Sequence, residues 1–181
     1  MSASTTVDEL VDPAATRPGA TADPHPLVGR FRQVLLGLAG ATTVATALEL
    51  AMLRHWDGFD QLIPWFILGV VGVTVVALAV RPAPLTVHSA PLVGLLAGAG
   101  GLYGALEHIH SNYESGPLDF RYANTWATMS ATSKWWKAAT GAVGPAPALA
   151  PMALGMAGAC LALATIAHPA GRAGRRSLRS R

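Results

Sequence analysis

The segment GLLAGAGGLYGALEHIHSNYE, residues Gly94–Glu114, determines how we interpret the rest of the chain. It begins as an apolar helical stretch rich in glycine and alanine and ends in ionisable side chains. Small residues four positions apart let helix backbones approach closely within a membrane. Three such pairs overlap here: Gly94 and Gly98, Ala97 and Gly101, and Gly100 and Gly104. We predict that this segment is the central helix of a bundle, with a polar site at its end.

The composition favours a membrane protein. Hydrophobic residues make up 51% of the 181 residues and charged residues 13%. A soluble domain carries about 25% charged residues, so this chain lacks the charge that a water-exposed surface needs. The apolar residues also occur in four long runs, which is the pattern of a polytopic helical membrane protein.

The four runs predict an all-α fold, a membrane-embedded four-helix bundle. A helix needs about 20 residues to cross about 30 Å of hydrocarbon. The predicted spans are about 31–53, 62–80, 86–106 and 148–167. Residues 28–169 then form one transmembrane domain, preceded by a disordered tail, 1–27, that is rich in Ser, Thr, Ala, Pro and Asp, and followed by a basic tail, 170–181.

The long connection between the third and fourth spans contains three of the five tryptophans. Its segment 125–139 predicts a short helix that lies along the membrane interface, because tryptophan and lysine side chains favour that layer. The predicted interfacial anchors of the whole chain are Trp56, Trp65, Trp126, Lys134, Trp135, Trp136 and Lys137.

Positive charge predicts the orientation. With both termini in the cytoplasm, nine Arg and Lys residues lie inside and four lie outside. The opposite orientation would export the arginine-rich C-terminal tail, against the positive-inside rule. We therefore predict a multi-pass protein of the cell (plasma) membrane with cytoplasmic termini. The basic tail is interpreted as a contact for anionic lipid and not for nucleic acid.

This topology brings polar residues of three segments to one depth outside the cytoplasm. They come from the end of the first span, the first outer loop and the end of the third span. The candidate polar cluster consists of Glu49, His55, Asp57, Asp60, Glu107, His108, His110, Asn112 and Glu114. If the third helix continues past Leu106, then Tyr103, Glu107, His110 and Glu114 share one face. The alternatives at this stage are interfacial anchoring, cofactor binding and proton transfer.

Metal or haem binding is the second interpretation of this cluster. Glu107 and His110 form a Glu-x-x-His pair, a spacing that carries two ligands in di-metal helical bundles, and Glu49 is a third candidate ligand. The pair occurs once and the fourth span offers no carboxylate, which weakens a di-metal site. A mononuclear metal site, or a haem held by His108 or His110, stays open as the cofactor prediction.

Three stretches resemble a family of small, uncharacterised bacterial membrane proteins with four spans. They are ELAMLRHWDGFDQLIP (49–64), the His110–Glu114 end of the third span, and WWKAATGAVGPAPALAP (135–151), closed by His168 and Pro169. Ser111 departs from the family pattern, which has glycine there. The resemblance covers about residues 30–169. It implies a four-span architecture with an outer polar cluster and assigns no reaction.

The functional prediction is a non-enzymatic subunit or accessory factor that contacts a membrane protein partner or a second copy of itself. No nucleophile motif, phosphate-binding loop or zinc-protease motif is present in the sequence. The alternatives are a metal- or haem-binding redox component and, third, a proton-coupled transporter. The transporter ranks last because only Glu49 and Glu107 lie deep in spans and no inverted repeat is evident.

Overall fold

A computed structural model describes residues 26–171, and within them the chain forms helices and no strand. The predicted all-α class is therefore confirmed. Nearly all of the predicted N-terminal tail and of the basic C-terminal tail lies outside the described residues. The α-helices are α1 (Pro26–Met52), α2 (Phe59–Val80), α3 (Pro84–Glu114), α4 (Ala131–Ala139) and α5 (Met152–Ala164), and short 3₁₀ turns occupy Gly116–Leu118 and Trp126–Thr128.

Three of these helices, α1, α2 and α3, are long and apolar enough to cross a membrane. They cover the first three predicted spans, apart from Leu53 at the end of the first, and extend beyond them. The largest extension is in α3, which continues from the predicted end at Leu106 to Glu114 over 31 residues in total. This continuation was the condition for placing Glu107, His110 and Glu114 on one helical face, and the structure meets it.

The fourth predicted span, 148–167, is α-helical only over the 13 residues of α5. At about 1.5 Å per residue, α5 alone is about 20 Å long, which is short of the hydrocarbon thickness. Proline explains the late start, because Pro147 and Pro151 lack a backbone N–H and the chain enters through turns closed by bonds such as Leu154 N to Pro151 O. Ala167 has a positive φ of 52°, which ends the helical path at the other side.

At the glycines of α3, the backbone of α5 lies in direct contact with α3. A Cβ atom at Gly94 would lie 2.5 Å from the carbonyl oxygen of Gly158, and one at Gly101 would lie 2.8 Å from that of Pro151. Gly158 meets the same constraint from the opposite side, since its Cβ would lie 2.6 Å from Gly94 O. The predicted close packing of this helix is therefore confirmed, and its partner is α5.

The middle of the bundle is shared by α3 and α5. α3 packs against α2, α4 and α5, whereas α5 packs against α1, α2 and α3. Ala97 on α3 and Ala157 and Leu161 on α5 have no exposed surface and form the centre of the core. The shortest of the four apolar segments, α5, is therefore as central in the bundle as α3, which we predicted to be central.

The helices meet at two ends. At the cap end, the ends of α1 and α3 meet the starts of α2 and α5, and residues 115–147, which we call the cap, cover it. At the opposite tail end, the Arg32 guanidinium on α1 donates hydrogen bonds to the carbonyls of Ile166 and Ala167, at 3.1 and 2.8 Å. Arg32 thereby ties α1 to the carbonyl groups that follow α5.

Alanine at Gly94 should destabilise the bundle, whereas alanine at Gly98 on the same helix should not. A methyl group at Gly94 collides with Gly158 O, and overpacking of this kind costs about 1–3 kcal/mol. A Cβ at Gly98 meets no atom within 4 Å, so Gly98→Ala should be neutral or slightly stabilising. Thermal unfolding of both variants in one detergent measures the difference, and equal melting temperatures would contradict the assigned packing.

Candidate functional site

A cavity of about 220 Å³ lies at the cap end between α1, α2, α3 and α5. Its walls are mostly apolar and include Leu50, Ile63 and Leu154. Its polar lining combines carboxylates, imidazoles, a carboxamide, a phenol and a hydroxyl, namely Thr46, Glu49, His55, Asp60, Gln61, Tyr103, Glu107 and His108. We call it the cap-end cavity.

His55 is held beside the cavity by the way α1 ends. The His55 N–H donates to Leu50 O at 2.9 Å and the Arg54 N–H to Ala51 O at 3.1 Å, which is the Schellman arrangement. Arg54 occupies the position that usually carries glycine, with φ of 51°. The Trp65 indole N–H of α2 donates to His55 O at 2.7 Å and fixes this turn against the neighbouring helix.

The two cavity histidines have different surroundings. Burial lowers the pKa of His55, and the nearby His108 imidazole lowers it further through charge repulsion. His108 Nδ1 lies 3.0 Å from the carbonyl oxygen of Pro147, which can only accept a hydrogen bond, so Nδ1 carries the proton. In a neutral His108 this leaves Nε2 as an acceptor.

The carboxylates of the cavity come from three helices. Glu49 lies in the last turn of α1, Asp60 in the first turn of α2, and Glu107 two turns before the end of α3. The Tyr103 hydroxyl lies 3.5 Å from Asp60 Oδ1 and also interacts with the Glu107 carboxylate. Tyr103 thus links the acidic groups of α2 and α3.

The structure divides the predicted polar cluster. It brings Glu49, His55, Asp60, Glu107 and His108 to one cavity. The remaining four members, Asp57, His110, Asn112 and Glu114, do not line it. His110 Nε2 lies 3.8 Å from Glu114 Oε1 on the exposed face of α3, and the His110 ring lies beside Trp135.

The predicted metal ligands do not converge. Among residues 26–171, no three His, Cys, Asp or Glu side chains are placed to hold one metal ion. Glu49 and Glu107 line the cavity, whereas His110, one turn further along α3, lies beside Glu114 and Trp135. The set Glu49, Glu107 and His110 therefore does not fit a metal.

Haem does not fit this cavity either. An apolar cavity of about 150 Å³ holds benzene, and the cap-end cavity of about 220 Å³ is only moderately larger. A porphyrin contains four pyrrole rings and needs far more room than that. His110 is exposed, and the Trp135 ring lies alongside it.

Asn112 has a structural role that the sequence did not reveal. Its side chain is fully buried. The amide Nδ2 donates to Ala138 O at 3.1 Å and to Ala146 O at 2.8 Å, and Oδ1 accepts from Ala146 N at 2.9 Å. Gly144 lies against Asn112 and has a positive φ of 76°. A Cβ atom at position 144 would collide with Asn112. The side chain of Asn112 on α3 therefore binds both α4 and the segment that leads into α5.

Aromatic rings complete the attachment of the cap. Tyr113 stacks on Trp135 with centroids 4.4 Å apart and meets the edge of Trp126 at 5.6 Å. Trp126, a predicted interfacial anchor, is only 6% exposed and forms the core of the cap instead of lying at the surface. The Lys134 ammonium lies near the Trp126 ring and that of Lys137 lies 4.5 Å from the centroid of Tyr122.

The predicted anchors at the surface are Trp136, which is 71% exposed, Trp135 at 44% and Trp56 at 48%, while Trp65 is half-buried. The predicted interfacial helix 125–139 is α-helical only from Ala131 to Ala139, because Ser130 caps its start by accepting from Ser133 N. Before Ser130 the chain forms the 3₁₀ turn that inserts Trp126 into the cap.

The cap contains an ion pair that the sequence prediction did not include. The Arg121 guanidinium donates to both carboxylate oxygens of Asp119, at 2.9 and 2.6 Å, and the Arg121 N–H donates to the same group. These hydrogen bonds lower the pKa of Asp119 to about 2. Asp119 and Arg121 are only two positions apart in the sequence, and this spacing of opposite charges could have predicted the ion pair.

Comparison with known proteins adds no relative. The chain matches no protein-family model, no curated protein and no solved structure. The resemblance to a four-span bacterial family therefore stays a prediction.

Replacing Asn112 by alanine should loosen the cap. The change leaves the N–H and the carbonyl of Ala146 without partners and removes one of the hydrogen bonds to Ala138 O, and each buried unsatisfied group costs about 1–3 kcal/mol. We expect trypsin to cleave the folded protein after Arg121, Lys134 or Lys137 at least about tenfold faster in Asn112→Ala, because local opening exposes these sites. Asn124→Ala, at an exposed cap position, is the matched control, and equal cleavage rates would contradict the role of Asn112.

Acid should destabilise the protein in part through His55. Its pKa is lowered in the folded state, so the unfolded chain binds the proton more readily and stability falls as the pH drops below about 6.5. Burial and Arg32 lower the pKa of His168, which acts in the same direction. Melting temperatures from pH 7.5 to 5 should fall less in His55→Gln than in the wild type, and least in the double variant with His168→Gln. If the melting temperature of His55→Gln fell with pH as much as that of the wild type, the role of His55 would be refuted.

Proposed function

We propose that the chain is a four-crossing integral membrane protein of the cell membrane with both termini in the cytoplasm. Its three long apolar helices supply three crossings, and the segment around α5 supplies the fourth. The cap end then faces outward and the tail end inward. The distribution of Arg and Lys supports this orientation, with nine positive residues inside and four outside.

The distance that the last segment covers along the bundle supports the fourth crossing. At the cap end His108 contacts the carbonyl of Pro147, and at the tail end Gly171 lies against Val87 and His88. The 20 residues from His88 to His108 rise about 30 Å along α3, which equals the hydrocarbon thickness. The chain from 147 to 171 covers the same distance, because α5 is extended by turns at both ends.

The surface of the bundle also fits a lipid environment. Only 22–28% of the most apolar window of each long helix is buried within the protein. Large apolar side chains point outward along these helices, for example Leu48, Phe66, Val73 and Leu95, which are 61–75% exposed. A soluble monomer rarely exposes a continuous apolar surface of this extent, whereas a lipid-facing helix requires it.

Within this architecture the protein acts as a non-enzymatic subunit or accessory factor whose cap contacts a partner. The observation that carries this proposal is a cap with its own small core and a buried asparagine anchor, which presents exposed apolar side chains. Leu118 and Phe120 are 86% and 89% exposed, and Trp136 is 71% exposed. A rigid surface with exposed aromatic residues is typical of protein interfaces.

A proton-coupled transporter is less well supported. A second cavity of about 200 Å³ lies at the tail end beside His88 and His168. Between the two cavities the bundle is filled by Ala97, Ala157 and Leu161, none of which has exposed surface. The geometry therefore favours binding at the cap end over passage through the bundle.

The two lysines of the chain, Lys134 and Lys137, make one experiment suitable for both orientation and partner contact. Both lie on α4 in the cap. A membrane-impermeant, lysine-reactive cross-linker applied to intact cells should produce a discrete adduct of higher mass. The double variant Lys134→Arg/Lys137→Arg should lose it, and Asn124→Ala should retain it.

Two results would count against the proposal. An adduct that forms only after permeabilisation would reverse the orientation. The absence of an adduct under both conditions, together with a chain that runs alone as a monomer in mild detergent, would refute the role as a subunit.

A further inference from the structure

We propose that the cap-end cavity binds a small primary ammonium compound with an apolar body of about one aromatic ring. The inference rests on the proposed membrane orientation for the side from which the ligand arrives, and on the cavity itself for the binding. It concerns a ligand dissolved in the external medium and is independent of any protein partner.

The charge of the lining selects a cation. Three carboxylates line the cavity, from Glu49, Asp60 and Glu107, and no lysine or arginine lines it. His55 favours its neutral form at neutral pH because its pKa is lowered, so it adds no compensating positive charge. An anion entering this space would be repelled by three carboxylates, whereas a cation would have carboxylate partners on three different helices.

The hydrogen-bonding character of the lining selects a donor. Carboxylates only accept, and in a neutral His108 the Nε2 atom accepts because Nδ1 is directed at Pro147 O. The donors of the lining are fewer: the Tyr103 hydroxyl is directed at Asp60 Oδ1, and Gln61, whose Oε1 accepts from the Asp57 N–H at 2.9 Å, offers its amide hydrogens. A primary ammonium group offers three N–H donors to this surplus of acceptors, which a quaternary ammonium group cannot do.

The walls and the volume select an apolar body. Leu50, Leu53, Ile63 and Leu154 line the space together with three prolines. About 150 Å³ accommodates benzene, so about 220 Å³ accommodates one ring with a short alkyl chain. The Tyr103 ring adds an aromatic surface for the cation. A bare metal ion would leave these apolar walls unfilled, and the carboxylates are not grouped to coordinate one.

Isothermal titration of the full-length protein in a neutral detergent at pH 7.5 tests the proposal with 2-phenylethylammonium. The neutral analogue 2-phenylethanol and the anion phenylacetate keep the ring and change only the charged end. We expect saturable binding of the cation, at least about tenfold tighter than that of the alcohol, and no measurable binding of the anion.

Variants locate the binding site. Glu107→Gln and Glu49→Gln keep the shape of the side chain and should each weaken binding at least about tenfold, as expected for the loss of one charge-assisted hydrogen bond. Glu114→Gln is the matched control, since Glu114 is a glutamate on the same helix outside the cavity. Its affinity should stay within about twofold of the wild type. The melting temperature of each variant reports whether the fold is retained, and the comparison of the three ligands on the wild type depends on no variant.

Three outcomes would overturn the inference. The first is equal affinity for the cation and the alcohol. The second is loss of binding in Glu114→Gln to the same degree as in Glu107→Gln, which would indicate general surface charge. The third is displacement of the probe by added phosphatidylethanolamine, which would make a lipid headgroup the occupant. Because the cross-linking experiment does not use this cavity, failure of one proposal can be distinguished from failure of the other.

Discussion

The backbone contact between Gly94 on α3 and Gly158 on α5 fixes the distance at which the two central helices pack. Neither position can carry a Cβ atom without moving a carbonyl oxygen of the other helix. Within a membrane the hydrophobic effect does not drive helices together, because lipid tails are as apolar as the helix surfaces. Close van der Waals packing has to stabilise their association instead. The remaining arrangement follows from this pair: α1 and α2 pack on α5 and α3, and the ends of all four segments meet around the cap-end cavity.

The cap depends on the same pair of helices. Because α3 continues beyond the bundle to Glu114, Asn112 and Tyr113 stand above the cavity and can anchor the chain that leads into α5. Asn112 bonds this chain at Ala146, and His108 contacts it one residue later at Pro147. The entry to α5, which forms one wall of the cavity, is therefore positioned by α3 twice: by glycine contact within the bundle and by hydrogen bonds above it.

The cavity combines acidic groups with apolar walls, and its location explains that combination. Helix ends bring Glu49, Asp60 and Glu107 to the depth where the apolar bundle gives way to the polar cap. Carboxylates at such a boundary keep access to water, so they do not carry the full cost of burial in hydrocarbon.

The sequence alone determined the helical class, the three long apolar helices and the close-packing face of α3, since composition, run length and glycine spacing act locally along the chain. It also predicted five of the residues at the cavity, because helix ends on one side of a bundle must share one depth. Tertiary structure decided the rest. It paired α3 with α5, left His110 outside the cavity that Glu49 lines, and buried Trp126 and Asn112 in the cap. These outcomes depend on contacts between residues distant in sequence, such as the hydrogen bonds from Asn112 to Ala138 and Ala146, which no local pattern encodes.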